Sequence, residues 1–327
     1  MSCTASKKDF EPLVSVYCMT YNHADTIAQT IEGVLSQQAD FAFELIVHDD
    51  ASTDGTADIV RSYAERYPDK IVPILQSENQ FHKCNILKTF ILTAVRGRYV
   101  AVCEGDDYWT DCEKLKLQVE HMENDPACCL CFHAVQQLMP DGKMMNYRPL
   151  KSSGEVSAEL IIKRGGLFCP TASLMFRRDV LDSWPEFRER ADVYDYPAQV
   201  LAASEGKAYY IDRIMAVYRF ASEGSWTAQR AEVIDYEHLG NEESWMELFN
   251  DYTQNRYADA INYHLAHLWF TEYRKTFESS VKKRAKIYIK KLKFFDKLMF
   301  TALFAVFSLL GRSGNKLWQI FKKIVLK

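Results

Sequence analysis

The feature that most constrains this chain is an alternation of two apolar periodicities over its first two hundred residues. Leu13–Met19 is a short β-rich run, after which Ile27, Ile31, Val34 and Leu35 fall on one helical face. Phe43–Val47 reads as a second strand. A helix capped by Ser52 or Thr53 follows, its face carrying Ile59, Val60, Tyr63 and Tyr67. The series continues with a strand at Lys70–Leu75, a helix through Ile86, Leu87, Phe90, Ile91 and Ala94, a strand at Arg98–Cys103 and a helix near 111–124. This order predicts an α/β fold, Rossmann-like, with a mostly parallel sheet covered by helices on both faces. A strand near Cys128–Gln136 and mixed structure to about residue 220 complete the region.

In a parallel sheet all strand C-termini lie on one rim, where open α/β sheets bind ligands. Tyr21-Asn22 follows the first strand, Asp49-Asp50 the second, and Glu104-Gly105-Asp106-Asp107 the fourth. Three polar clusters distant in sequence therefore converge on one edge. Three carboxylates within four residues repel one another unless a cation is bound, and hard oxygen ligands suit Mg²⁺ or Mn²⁺ bridging substrate phosphates. An acidic turn that merely caps the next helix would be the bland reading of Glu104–Asp107 alone; the Asp49-Asp50 pair beside it turns the balance. A carboxylate in that pair can accept hydrogen bonds from a nucleobase imide or a ribose hydroxyl.

The segment Val14–Gln37, then Asp49-Asp50-Ala51-Ser52-Thr53-Asp54-Gly55-Thr56 and Glu104-Gly105-Asp106-Asp107-Tyr108-Trp109, resembles family 2 glycosyltransferases of the GT-A fold over residues 12–220. The resemblance implies a transferase that moves a sugar with inversion from a nucleotide-diphosphate donor, most commonly a UDP-sugar, to an acceptor hydroxyl. It implies Tyr21, Asn22 and Asp50 as contacts to base and ribose. The family's metal-binding Asp-x-Asp reads Glu104-Gly105-Asp106 here. Because its first position departs from Asp, Asp106 is the implied ligand of Mn²⁺ or Mg²⁺, Glu104 the contact to ribose or a metal-bound water, and Asp107 a second metal candidate. A catalytic aspartate that precedes a later helix is matched by Asp195, with Asp192 as alternative. Some relatives carry a histidine after a Tyr-Arg pair; here Tyr218-Arg219 is followed by Phe220-Ala221-Ser222, leaving Arg219 or Trp226 to cover the diphosphate.

Other features take plainer readings. Cys128-Cys129-Leu130-Cys131-Phe132-His133 fits a buried strand better than a zinc site. The nine cysteines, several inside apolar runs, read as small core hydrophobes of a reducing compartment. Met1–Lys8 has no apolar h-region, so no secretory signal is expected and the cytosol is the default. Tyr108-Trp109 and the loop Phe168–Ser173 are placed to line an acceptor pocket or to pack.

The domain reading is a catalytic domain over 1–227, a helical extension over 228–290 and a basic amphipathic tail over 291–327. Residues 281–327 hold thirteen Lys/Arg and one acid, although the whole chain carries a net charge of −4. Leu298–Leu310 is an uncharged run of 13 residues, short of the roughly 20 needed to cross a hydrocarbon core. Flanking lysines with Phe294, Phe295, Phe300, Phe304 and Phe307 predict a segment lying on anionic lipid at the inner face of the cell membrane. A lipid-linked saccharide is then a natural acceptor, in surface polysaccharide or glycolipid assembly. No nucleic-acid-reading module is present, so nucleic acid is not an expected partner. Three rivals are weaker. A sugar nucleotidyltransferase usually opens with a glycine-rich loop, which Met19–His23 lacks; a processive synthase carries several membrane spans and a Gln-x-x-Arg-Trp motif, both missing; a nonenzymatic membrane scaffold would not need intact acidic clusters.

Overall fold

The structure, a computed structural model, describes residues 11–81, 83–220 and 235–310. Trp226 and tail residues 311–327 lie outside the described residues. The chain divides into two compact units. The described part of the first runs to residue 220 without 162–165 and 185–192, which belong to the second together with 235–310.

The first unit is built on one sheet: β1 (Val14–Thr20), β2 (Phe43–Asp49), β3 (Ile71–Leu75), β4 (Tyr99–Val102), β5 (Tyr108–Trp109), β6 (Cys128–Leu138), β7 (Met144–Tyr147), β8 (Gly154–Val156), β9 (Met175–Arg177) and β10 (Lys207–Arg219). The main path is β3-β2-β1-β4-β9-β6-β10-β5. β3, β2, β1 and β4 are mutually parallel, as their alternation with helices requires. Beyond them the sheet is mixed: β6 and β10 pair parallel, and β9 runs antiparallel to both β4 and β6. With three residues, β9 carries no legible period in the sequence. β6 reads as expected, buried from Cys128 to Val135. At the rim opposite the site, the buried carboxylate of Glu44 accepts from Ser15 Oγ at 2.6 Å and from the Arg96 backbone N–H at 3.1 Å. It thereby joins β1 and β2 to the start of β4.

Helix α1 (Ile27–Leu35) buries Ile27, Thr30, Ile31 and Val34. Helix α2 (Thr56–Arg66) starts later than the Ser52 or Thr53 cap predicts. Both hydroxyls are used elsewhere, Ser52 by Asp49 and Thr53 by Asn22, and Asp54 Oδ1 takes the Thr56 N–H instead, at 3.0 Å. Tyr67 falls one residue past this helix and is exposed. The expected helix around 86–94 forms with a π-helical turn at Leu87–Ile91.

Lys114 is the one fully buried lysine among the described residues. Its Nζ donates to Gln118 Oε1 at 2.8 Å and lies 3.9 Å from the centre of the Trp109 ring, whose Nε1 donates to the Ala172 carbonyl. Trp109 is thus a packing residue. Burial without a carboxylate partner lowers the Lys114 pKa to about 7. Between that value and the ordinary lysine range the unfolded chain holds a proton that the folded one does not, so stability rises with pH across this window. Lys114→Met keeps the stem's volume and removes the charge. It is expected to stabilise the protein by about 1–4 kcal/mol at pH 6, the gain shrinking by about 1.4 kcal/mol per pH unit above 7. Urea unfolding at pH 6, 7.5 and 9 checks this; a gain independent of pH would mean that Lys114 is not desolvated as a cation.

The second unit consists of helices Tyr236–Tyr252, Ala258–Thr276, Ser279–Lys291 and Phe294–Leu310, with the two short inserted segments. Phe187 packs 5.1 Å from Phe249. Phe270 is ringed by Phe300, Phe304 and Phe307 at 5.9, 4.8 and 5.6 Å between ring centres. Three of the five phenylalanines read from sequence as lipid-facing are therefore core residues. At 100° per residue, positions 300, 304 and 307 form one stripe, and the unit's own aromatics cover it. Phe294 and Phe295 stay exposed. No helix among the described residues is long and apolar enough to cross a membrane.

Candidate active site

The parallel strands β1, β2 and β4 deliver Tyr21-Asn22, Asp49-Asp50 and Glu104–Asp107 to one rim, side by side. Side chains then lock these loops together. Asn22 has φ 55°, a left-handed conformation asparagine tolerates; its Oδ1 accepts the Thr53 N–H at 2.8 Å and its own N–H donates to Ser52 Oγ. Ser52 Oγ donates in turn to the buried Asp49 at 2.5 Å. Ala51, at φ 61°, holds the strained turn between the two clusters. Tyr21 is 46% exposed, its ring open to a ligand.

Asp50 is buried, and its carboxylate accepts the backbone N–H groups of Gln80 at 2.6 Å and Phe81 at 3.0 Å. Asn79 donates to its main-chain carbonyl. The loop after β3 is therefore a fourth component of the rim, which the sequence reading missed. Its signal was available: the polar run Gln76–Gln80 follows a strand of the same parallel set.

The acidic loop is seated on β1 and α1. The Gly105 N–H donates to the Met19 carbonyl at 3.0 Å. Thr26 Oγ1 donates to the Gly105 carbonyl, and Thr30 Oγ1 to that of Asp107 at 2.6 Å. A Cβ on residue 105 would meet Thr20 Oγ1 at 2.5 Å and His23 Nδ1 at 2.7 Å, so only glycine permits this approach.

Glu104, Asp106 and Asp107 each present a carboxylate oxygen within 4.8 Å of the others, and they are the one metal-capable acidic, His or Cys group among the described residues. Burial, then repulsion from Asp106 and Asp195, raises the Glu104 pKa to about 8. Asp107 is fully buried; its Oδ1 accepts the Arg219 N–H at 2.9 Å, while Oδ2 has no hydrogen-bond partner among the described residues. Burial pushes its carboxyl well above the usual range. Crowded hard oxygens with an unpaired buried acceptor fit a divalent cation. Arg219 flanks the loop, its guanidinium bonded to the Asp106 carbonyl and to Gln29 Oε1 and lying 4.9 Å from the Tyr108 ring centre.

Asp195 is the first residue of the helix Asp195–Glu205. Thr171 Oγ1 donates to its Oδ2 at 2.9 Å and the Tyr196 N–H to its Oδ1 at 2.8 Å. Burial raises its pKa against these two bonds. Its charge is felt by Glu104, so the four carboxylates share one site. Asp192 belongs to the helical unit, where its Oδ2 pairs with His238 Nδ1 at 2.6 Å. Of the loop Phe168–Ser173, only Leu167 beside it is strongly exposed; Phe168, Cys169, Ala172 and Ser173 are buried. Gln137, Gly166, Leu167, Pro170, Thr171 and Tyr218 border a small cavity at the residue that holds Asp195.

A mixed sheet flanked by helices, with polar and acidic loops gathered on one rim and a helical region after it, is the GT-A glycosyltransferase architecture. The structure of S. aureus TarS 1–349 in complex with UDP-GlcNAc aligns with a TM-score of 0.64 at 17% identity, over 86% of this chain and 81% of that one. The profile of the family described as "Glycosyl transferase family 2" matches residues 15–184, and the chain belongs to that family. An uncharacterized protein of Mycobacterium tuberculosis is 35% identical over 214 residues, 65% of this chain and 60% of the relative. This chain thus spans about 60% of the length of that relative. The putative teichuronic acid biosynthesis glycosyltransferase TuaG of Bacillus subtilis is 27% identical over 235 residues, 71% of this chain and 90% of TuaG.

Proposed function

We propose that this protein transfers a sugar, with inversion, from a nucleotide-diphosphate donor to an acceptor hydroxyl, in the assembly of a surface polysaccharide or glycolipid. The observation that carries this reading is the gathering of Glu104, Asp106, Asp107 and Asp195 around a rim already lined by Tyr21, Asn22 and Asp50. The donor is a UDP-sugar, its base against Tyr21 and its base or ribose bonded by Asp50. Asn22 holds the base-side loop in shape through Ser52 and Thr53.

Mn²⁺ or Mg²⁺ would be held by Asp106 and Asp107, with Glu104 on ribose or a metal-bound water, and would stabilise the charge that develops on the leaving diphosphate. Arg219 lies beside that position with a guanidinium to share the charge. Asp195 takes the proton of the acceptor hydroxyl as that oxygen attacks the anomeric carbon from the face opposite the leaving group. Its raised pKa brings it nearer the operating pH, and the Thr171 hydroxyl fixes its orientation. The acceptor is a saccharide, free or lipid-linked, met at the inner face of the cell membrane.

A panel of UDP-, GDP- and dTDP-sugars assayed for slow hydrolysis with Mn²⁺, Mg²⁺ or chelator tests the reading. Metal-dependent release of UDP from one or two UDP-sugars is expected. Nucleotide-sugar binding without hydrolysis or transfer under any condition would favour a nonenzymatic scaffold.

A further inference from the structure

The helical unit ends in a surface that its own fold leaves uncovered. In helix Ser279–Lys291 the buried stripe is Val281, Ala285, Tyr288 and Ile289. The outward residues are Lys283, Arg284, Lys286, Ile287, Lys290 and Lys291. Only two residues later begins helix Phe294–Leu310, which buries Phe300, Leu303, Phe304 and Phe307 and turns Leu298, Thr301, Ala302, Ala305, Val306 and Leu309 outward. These positions recur every three or four residues, so the outward stripe is continuous. It holds no charge from Leu298 to Leu309. At the corner between the helices, Phe294 is 72% and Phe295 81% exposed, set among the exposed Lys290, Lys291 and Lys297, while Lys293 beside them pairs with Asp259 at 2.6 Å.

We propose that this corner and the outward stripe of the last described helix dock on an anionic lipid bilayer, with Phe294, Phe295 and Leu298 inserted and the lysines on lipid phosphates. The proposal rests on the reading of the protein as a transferase working at a membrane, and it identifies the surface that reaches the membrane. Two observations select lipid as the occupant. Large phenyl groups held in water beside clustered cations are satisfied together where hydrocarbon and phosphate meet within a few ångströms. A second copy apposing the same corner would bring like charges together, since the exposed Lys290, Lys291 and Lys297 outnumber Asp296 there. Phe300, Phe304 and Phe307 are excluded from insertion, because they are packed around Phe270.

Sedimentation of the full chain with vesicles tests the assignment. Binding is expected to phosphatidylcholine vesicles containing phosphatidylglycerol, to weaken with salt, and to be slight on phosphatidylcholine alone. The double variant Phe294→Ser with Phe295→Ser should bind about tenfold or more weakly. Lys290→Gln with Lys291→Gln should lose about tenfold and flatten the salt dependence. All four side chains are exposed, so the fold is retained, which circular dichroism verifies. UDP-sugar hydrolysis in solution is read in parallel and should not change, so a failed transferase reading and a failed docking surface give different results. Unchanged vesicle binding by both double variants overturns the proposal. So does equal binding to neutral vesicles, or a concentration-dependent dimer abolished by the phenylalanine changes with no vesicle binding by the wild type.

Discussion

Asp195→Asn is expected to leave UDP binding intact and to lower sugar transfer by roughly 10²-fold or more. The substitution keeps the shape and one acceptor oxygen, enough for the Thr171 hydroxyl; it removes basicity and gives up the bond from the Tyr196 N–H. The loss should appear in the turnover number, with the donor's dissociation constant unchanged, because Asp195 has no part in holding the nucleotide in the proposed arrangement. Thr171→Val separates position from basicity. It deletes the donor that orients Asp195 and opposes the rise of its pKa. The expected result is a milder loss of rate, with the acid limb of the pH–rate profile moved upward. Asp192→Asn is the control: its carboxylate is engaged by His238 in the helical unit, and transfer should stay near the wild-type rate. If Asp195→Asn transfers normally and Asp192→Asn does not, the base is Asp192.

The legible part of this site is the part set by strand ends. A parallel strand announces itself by an apolar run, and whatever polar residues follow it must lie on the common rim, so Asn22, Asp50 and Asp106 could be brought together before any coordinates. Three things were not legible for physical reasons. The direction of β9 depends on a three-residue pairing with strands far away in sequence. The role of Gly105 depends on a close approach to Thr20 and His23, which no local periodicity encodes. The division of the terminal phenylalanines into core and surface depends on partners at Phe270 and Tyr273, since a helix with no charge from Leu298 onward shows no polar face to orient it. Arg219 lies between these cases. Its Tyr-Arg context marked it, but its bonds to the Asp106 carbonyl and, through its N–H, to Asp107 come from the pairing of β10 with β5 and β6.

Asp106→Ala should abolish the metal enhancement of nucleotide binding and reverse the sign of an ordinary stability effect. In the metal-free protein, Glu104, Asp106 and Asp107 crowd their oxygens within 4.8 Å, and the repulsion from Asp106 that helps raise the carboxyls of Glu104 and Asp107 disfavours the folded state. Removing one carboxylate from the cluster relieves this repulsion, so the variant should unfold at an equal or higher temperature than the wild type in chelator. Adding Mn²⁺ with UDP should reverse the order. A ligand that binds only the folded state at about 100 times its dissociation constant stabilises by about 2.7 kcal/mol, or a few degrees in Tm for a chain of this size. Only the wild type should receive that shift. Calorimetric titration of UDP with Mn²⁺, with Mg²⁺ and with chelator supplies the independent reading: metal should tighten binding to the wild type and leave the variant unaffected. The two measurements fail in different ways. Equal affinity with and without metal in both proteins would show that the acidic loop does not hold a cation at all. Metal enhancement that survives in Asp106→Ala and is lost in Asp107→Ala would move the principal ligand to Asp107, whose buried Oδ2 lacks any other partner among the described residues.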